Sequence, residues 1–504
     1  MSEATPAATS GKQFFGHPRS LATLFFTEMW ERFSYYGMRA LLILFMTATM
    51  ERGGLGIDPR HAGAIYGLVT SGVYLFSLPG GWIADRLIGQ RNAVFAGGVL
   101  ISLGNFMLAI PGSAALFFGG LLTIALGTGL LKPNVSCIVG QLYEGQSGAR
   151  RDAAFSIFYL GINLGATIAP FVSGTIGETV GYRWGFLAAG FAMVIGLVQY
   201  RLTGYHLGAA GELPPERRGA EQRRNFRMFV PALALFALLV GLFAFGVIDV
   251  DVLQLANVAG VVMIALAVLF FGSVLLLPGL ARAEKANVGV ILLLFVSSMV
   301  FWAGYEQAGS TLNLFARDYT DRSLFGASFA AGAHPASWYQ AVPPIFVILL
   351  APLFAWLWTR LDRRGRDPSA VTKLGLGLLQ LGLSFVVMMF AAQLVAQSGH
   401  KALPLWLIAT YLLQTTGELC LSPIGLSNVT KLAPTRYVGQ MMGTWFLATA
   451  LGNLAAGMIG GEIGRGTIDA MPARFLWMAL IGGGVGIAML LIASVLRKRG
   501  NVAA

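Results

Sequence analysis

The sequence predicts an all-α polytopic membrane protein, on three observations. Of its 504 residues 56% are hydrophobic and only 12% charged, with a mean hydropathy of +0.69, whereas soluble domains carry roughly 25% charge. Apolar stretches of roughly 20 residues, long enough to cross a ~30 Å hydrocarbon core, recur about fourteen times. The basic residues are also unequally shared between alternate loops. An even number of crossings places both termini on one side, where about 24 of the 35 Lys and Arg fall, against about eight opposite. The expectation is a multi-pass protein of the cell (inner) membrane with both termini cytoplasmic. The net charge of +12 then reports topology and contact with anionic lipid, and does not argue for nucleic acid.

The chain opens with a polar tail, 1–20, without the short apolar core and cleavage site of a signal peptide. Apolar stretches follow near 21–50, 62–87, 92–111, 114–141, 153–179 and 184–204. A polar linker, 206–225, contains Arg217, Arg218, Arg223 and Arg224. Two further stretches, 227–248 and 254–279, hold few ionisable groups beyond Asp249 and Asp251 in their short turn. The remaining six are 288–316, 336–360, 370–397, 403–431, 437–463 and 473–496. GWIADRLIGQR, Gly81 to Arg91, and FAWLWTRLDRRGR, Phe354 to Arg366, both end a helix with an Asp-Arg pair and a basic, Gly-containing turn. Such similarity suggests an internal duplication. The expected organisation is a six-helix bundle over 21–205, the linker 206–225, an inserted two-helix hairpin over 226–280, a second six-helix bundle over 281–498 and a tail, 499–504.

Function is expected where charge enters the first apolar stretch. In TEMWERFSYYGMR, Glu28, Glu31, Arg32, Tyr36 and Arg39 recur at three- and four-residue spacing and share one helix face. An ionisable group at bilayer depth costs at least ~2.5–3.5 kcal/mol, so the face must line a protein-walled cavity. Lys132 is the other embedded cation of the first half, and Glu306 and Glu418 are the embedded acids of the second. A duplicated bundle with charge at the repeat interface is how secondary transporters are built.

The Asp-Arg turns resemble the signature loop of the major facilitator superfamily. EMWERFSYYG, Glu28 to Gly37, resembles the ExxERFxYYG signature of its proton-coupled oligopeptide transporter family; FYLGINLGA, Phe158 to Ala166, and YEQAGSTLN, Tyr305 to Asn313, are similar to further characteristic stretches. Departures are Thr167, where a larger apolar residue is usual, and Pro343, where many members carry an Asn. The resemblance implies the major facilitator fold, with two six-helix bundles and two inserted helices, fourteen transmembrane helices in all. It also implies import of di- and tripeptides by proton symport.

A small peptide is a zwitterion, so its site needs fixed charge at both ends. Arg32 and Lys132 suit the carboxylate, Arg through its forked donors. Glu418 suits the ammonium, as the resemblance also implies, with Glu306 the other acid of that half. Tyr36, Tyr74, Trp302 and Trp445 match aromatic positions of the family's site, and Asn163 can donate to and accept from a peptide backbone. Proton coupling is expected from Glu28 and Glu31, which hold Arg32 and Lys132 when ionised and release a cation when one is protonated. Lys132 precedes Pro133 near a helix end and could instead snorkel to the interface. His61 matches a family gating position, and Asp318 stands at its level as a partner. Prolines 133, 343 and 423 permit bends near the site.

Cys137 and Cys420 each lie in an apolar stretch and read as structural thiols, leaving no disulfide framework or cysteine metal site. No metal and no cofactor is expected beyond protons as the coupling ion, and the functional unit is expected to be monomeric among membrane lipids. Within the same fold, another small anion or peptide-like compound is the alternative cargo. A sensor, a channel or a membrane-embedded transferase finds no soluble domain or catalytic cluster to support it.

Overall fold

The computed structural model describes residues 13–244, 251–276, 279–464 and 466–498. Asp249, the tail before residue 13, the 499–504 tail and the side chain of Pro423 lie outside the described residues. Apart from two isolated bridges, Phe14 with His17 and Thr320 with Ala402, the regular structure described is helical. The long helices are α1 (Arg19–Thr47), α2 (Pro59–Ile88), α3 (Gln90–Ala109), α4 (Ala114–Leu142), α5 (Gly148–Thr179), α6 (Tyr182–Leu207) and α7 (Ala220–Ala244). They continue as α8 (Val252–Leu276), α9 (Arg282–Tyr319), α10 (Ala336–Arg363), α11 (Ala370–Ser398), α12 (Pro404–Leu432), α13 (Thr435–Gly464) and α14 (Ile468–Val495). Among the described residues twelve helices, all of these except α1 and α12, are long and apolar enough to cross a membrane.

Helix starts differ from the apolar boundaries where good helix formers flank them. The first eight residues of α7, Ala220 to Arg227, include Glu221, Gln222 and three arginines, which extend the helix into the expected linker. The linker is correspondingly shorter and is tied down. Arg91 donates to the carbonyls of Ala210 (2.6 Å) and Gly208, Gln141 accepts from Gly211 N (2.8 Å), and Gln222 donates to the Leu87 carbonyl (2.6 Å). His17 Nδ1 bonds Tyr143 Oη at 2.7 Å and Thr23 donates to the Thr203 carbonyl, so α1 starts on this linker face and ends on the far face.

The stretch expected as one helix over 288–316 is broken. The first part of α9 ends at Tyr305, Glu306–Gly309 form a 3₁₀ turn, and helix resumes at Thr311. The break belongs to the tertiary structure: Gly309 lies against Tyr66 and Arg39, where a side chain would collide. In α2 the chain kinks at Phe76 and widens over Ala84–Ile88.

In the first half α1 packs on α5 and α6, and α3 on α4 and α6; in the second α11 packs on α12 and α14, and α9 on α13. Between the halves, Gly63 and Gly67 of α2 meet Gly457 and Gly461 of α13 backbone to backbone, and Gly174 of α5 meets Ser337 of α10. Small residues permit this approach where no hydrophobic drive acts between helices in lipid. Helix α8 lies against α2 and α13, and α7 meets α2 through Phe236 on Phe76 and Phe229 on Trp82. Only 6% of the apolar window of α7 and 22% of that of α8 is buried, which puts the pair at the periphery.

Candidate functional site

The charged face of α1 is interior: Glu28, Glu31, Arg32 and Arg39 are at most 5% exposed. Arg32 Nε lies 3.2 Å from Glu28 Oε1, one turn before it, and also donates to Glu31. Helix α5 covers this group because its glycines fall four residues apart. Gly161 sits on Phe25 and Gly165 on the Met29 carbonyl and Arg32 Cβ, so the second motif is a packing surface for the first. Three polar atoms remain unpartnered there, Glu28 Oε2, Glu31 Oε1 and one Arg32 terminal nitrogen. A buried polar group without a partner is costly, so this arrangement favours an arriving carboxylate or proton.

Lys132 is not held by those acids as expected. Its Nζ lies 4.1 Å from the centre of the Tyr74 ring, and among the described residues no carboxylate is within ion-pair distance. The cause is competition: Arg32, on the same helix as both acids and next to Glu31, occupies them. Lys132 is half-buried, held over an aromatic face that attracts cations.

About two turns further along α1 than Arg32, Arg39 reaches the second half. Its guanidinium lies 2.5 Å from Glu306 Oε2, its Nε donates to Tyr66 Oη at 2.7 Å, and it faces the Tyr36 ring. Glu306, expected beside Glu418 at the peptide, is thus engaged at the break in α9. Neighbouring amides seal the junction: Asn313 donates to the Ala40 carbonyl (2.9 Å), Gln307 to that of Ala456 (3.1 Å) and Gln340 to that of Ala308 (2.8 Å).

Glu418 of α12 is 8% exposed and faces the hydroxyls of Tyr159 and Tyr305, while its Oε2 has no partner. Among the described residues no Lys or Arg pairs with it. Asn163 donates to the Tyr159 carbonyl at 2.9 Å. Tyr36, Tyr74, Trp302 and Trp445 are each partly exposed, unlike the acids and Arg32, and Trp302 stands edge-on to Tyr305 with its Nε1 unpartnered. Cations lie on one half and an unpaired carboxylate on the other, with aromatic rings contributed by both. Among the described residues no cluster of His, Cys, Asp and Glu could hold a metal ion. A surface cleft of about 510 Å³ beside Arg91, Arg201 and Arg218 on the linker face is separate from these groups.

His61 and Asp318 are not brought together. Arg317, the next residue back, forks Asp318 at 2.7 and 2.9 Å and also donates to Thr47. His61 is exposed, with Asp58 at 3.6 Å and Asp251, the residue before α8, at 4.0 Å.

The family model described as PTR2, POT family, matches residues 91–208 and 280–474. The chain belongs to the POT family. This POT transporter is 43% identical to the peptide transporter YePEPT of Yersinia enterocolitica, over 92% of each chain. It is 37% identical to a di-/tripeptide transporter of Lactococcus lactis, over 97% of this chain and 98% of that one. Its fold superposes on a crystal structure of a peptide transporter POT in complex with sulfate with a TM-score of 0.85, at 40% identity over 96% of both chains. It is a multi-pass membrane transporter and not an enzyme. Arg39, Tyr66, Tyr159 and Tyr305 complete the constellation, and the sequence reading assigned none of them to the site. Arg39 carried a signal in its place on the charged face of α1, and Tyr159 and Tyr305 in lying within FYLGINLGA and YEQAGSTLN; Tyr66 carried none.

Proposed function

We propose that the chain is a proton-coupled symporter that imports di- and tripeptides by alternating access. All fourteen long helices cross the membrane, as bundles over 21–205 and 281–498, with α7 and α8 inserted and both termini cytoplasmic in the cell membrane. The family match supports the insertion, since it omits 209–279, which holds α7, α8 and most of the linker. The observation that carries the function is the placement of opposite charge across the halves: Arg32, with one terminal nitrogen unpartnered, and Lys132 on one side, and Glu418, without a cation, on the other. The peptide carboxylate takes the first two and its ammonium takes Glu418, with Tyr36, Tyr74, Asn163, Trp302 and Trp445 around the middle. That many peptides fit follows, because the fixed contacts address only the two termini.

Protons act at Glu28 and Glu31, which compete with the peptide for Arg32. Protonating one frees the guanidinium, and carboxylate binding in turn favours the protonated acid. The Arg39–Glu306 pair joins the halves on the far face and is a second place where a proton would separate them. No cofactor takes part, and a monomer suffices. Uptake of labelled di-alanine into proteoliposomes, with and without an inward proton gradient, tests the reading. Accumulation should require the gradient; uptake indifferent to it would refute symport.

A further inference from the structure

Besides the Arg39–Glu306 pair and the bond from Arg317 to Thr47, two helix-end junctions close the far face between the halves, and their charged groups differ in kind. At α2 and α13 the closing charges are Arg60 and Glu462, 2.5 Å apart, but their side chains are 47% and 53% exposed. Such pairs are screened by water and salt and contribute little. At α5 and α10 the closing group is Glu178, only 13% exposed. Its Oε2 accepts from Ala336 N and its Oε1 from Ser337 N, both at 2.8 Å. These two N–H groups open α10 and have no partner within their own helix, and the helix dipole favours a negative charge there. Trp338 Nε1 donates to Thr175 Oγ1 at 2.8 Å, and its ring meets Phe171 edge-on. Arg322 stands 3.9 Å from Glu178, with Tyr182, His334 and Arg317 also in its field.

We propose that Glu178 is the latch of the outer gate, a positioning residue for the transport cycle. This rests on the alternating-access reading above. A carboxylate from the first half caps a helix of the second, so opening the far face must break both bonds at once and exchange them for water. The strength of this cap therefore sets the ratio of outward-open to outward-closed protein. Helix α5 also carries Gly161 and Gly165 against α1, so the latch and the packing surface of the charged site lie on one helix, joined through a π-helical stretch at Pro170–Gly174. The exposed Arg60–Glu462 ion pair is dispensable by comparison, the α2–α13 junction being held by its glycine packing.

The test uses full-length protein with Cys137 and Cys420 replaced by serine and spin labels on Val180→Cys and Leu324→Cys, exposed positions on the far face. Glu178→Gln removes the charge and one acceptor while keeping the volume. Ala336→Pro deletes one donor from the opposite side, at a first helical position where proline is tolerated. Each should raise the weight of the long-distance population about tenfold, as for loss of one charge-assisted hydrogen bond, and the double variant should add little. Arg60→Gln should change the distribution far less. Unchanged distances in both latch variants, with wild-type thermal unfolding, would overturn the proposal. A variant that misfolds is replaced by Glu178→Asp, which should give an intermediate shift. The distances do not depend on the cargo: if they shift while wild type carries no peptide, the substrate reading fails and the latch stands.

Discussion

Replacing Glu418 gives the sharpest test of how the site holds its cargo. The carboxylate is buried and without a cationic partner, so an ammonium reaching it would form a charge-assisted bond in a poorly solvated place. Such bonds contribute about 1.5–3 kcal/mol net, against about 0.5–1.5 for neutral ones. Glu418→Gln should therefore cost about 1–1.5 kcal/mol, roughly tenfold in affinity. Glu418→Ala, which leaves a desolvated ammonium alone, should cost about 2–5 kcal/mol, roughly 30-fold to several-thousand-fold. On an exposed carboxylate the same change would be worth at most ~1 kcal/mol. The assay is competition against labelled di-alanine by di-alanine and by its N-acetyl form, in wild type and in Glu418→Gln. Acetylation should weaken binding strongly in wild type and much less in the variant, as expected of coupled partners. An equal acetylation penalty in both proteins would refute the assignment of Glu418 to the ammonium.

Other expectations follow from the same geometry. Glu31→Gln should abolish gradient-driven accumulation while retaining peptide exchange; uphill uptake at the wild-type rate would defeat the role given to the acid pair. Breaking Arg39–Glu306 from one side should cost about 3–5 kcal/mol, and Arg39→Met with Glu306→Met should recover much of that in thermal unfolding without restoring accumulation. Gly165→Ala should lower the unfolding temperature because its new methyl meets the Met29 carbonyl, whereas Gly289→Ala, with open space around it, should not. At the N-terminus, burial and then the charge of Arg150 hold the His17 imidazole below its ordinary range. Its contribution is therefore present above an unfolded pKa of ~6.5 and is lost as pH falls through that region. Proteolysis near residue 13 should be faster at low pH, and His17→Asn should flatten the dependence.

The fold was legible wherever composition and helical spacing carry the information. Apolar length located the helices, and the three- and four-residue spacing of Glu28, Glu31, Arg32 and Arg39 placed them on one buried face. What escaped was local geometry created by a neighbour. The break at Glu306–Gly309 lies in a stretch whose sequence permits a continuous helix; only the approach of Tyr66 and Arg39 to Gly309 requires the turn. The early start of α7 escaped for the opposite reason, since its first turns are charged and carry helix propensity without apolar pattern.

In the site, residue types were legible but their partners were not. Glu28 and Glu31 were expected to share Arg32 and Lys132, yet Lys132 stands over Tyr74 because Arg32, next to Glu31 and four residues from Glu28, already occupies both acids. His61 was expected to meet Asp318, but Arg317 claims that carboxylate by chain adjacency and the residue before α8, Asp251, stands near His61 instead. Glu178 gave no signal at all, because its partners are backbone N–H groups, which every residue but proline has.

By itself the sequence determined that this chain lies in a membrane, that charge is buried in its first helix, and that its motifs are those of a peptide-transporter family. These follow from transfer energies and spacing, which act along the chain. The tertiary structure alone decided which charges meet and which stay unsatisfied: Arg39 bound to Glu306, Glu418 left without a cation, Glu178 capping α10. Those outcomes depend on distances between helices far apart in the chain, set by where glycines let backbones touch, and no local pattern encodes them.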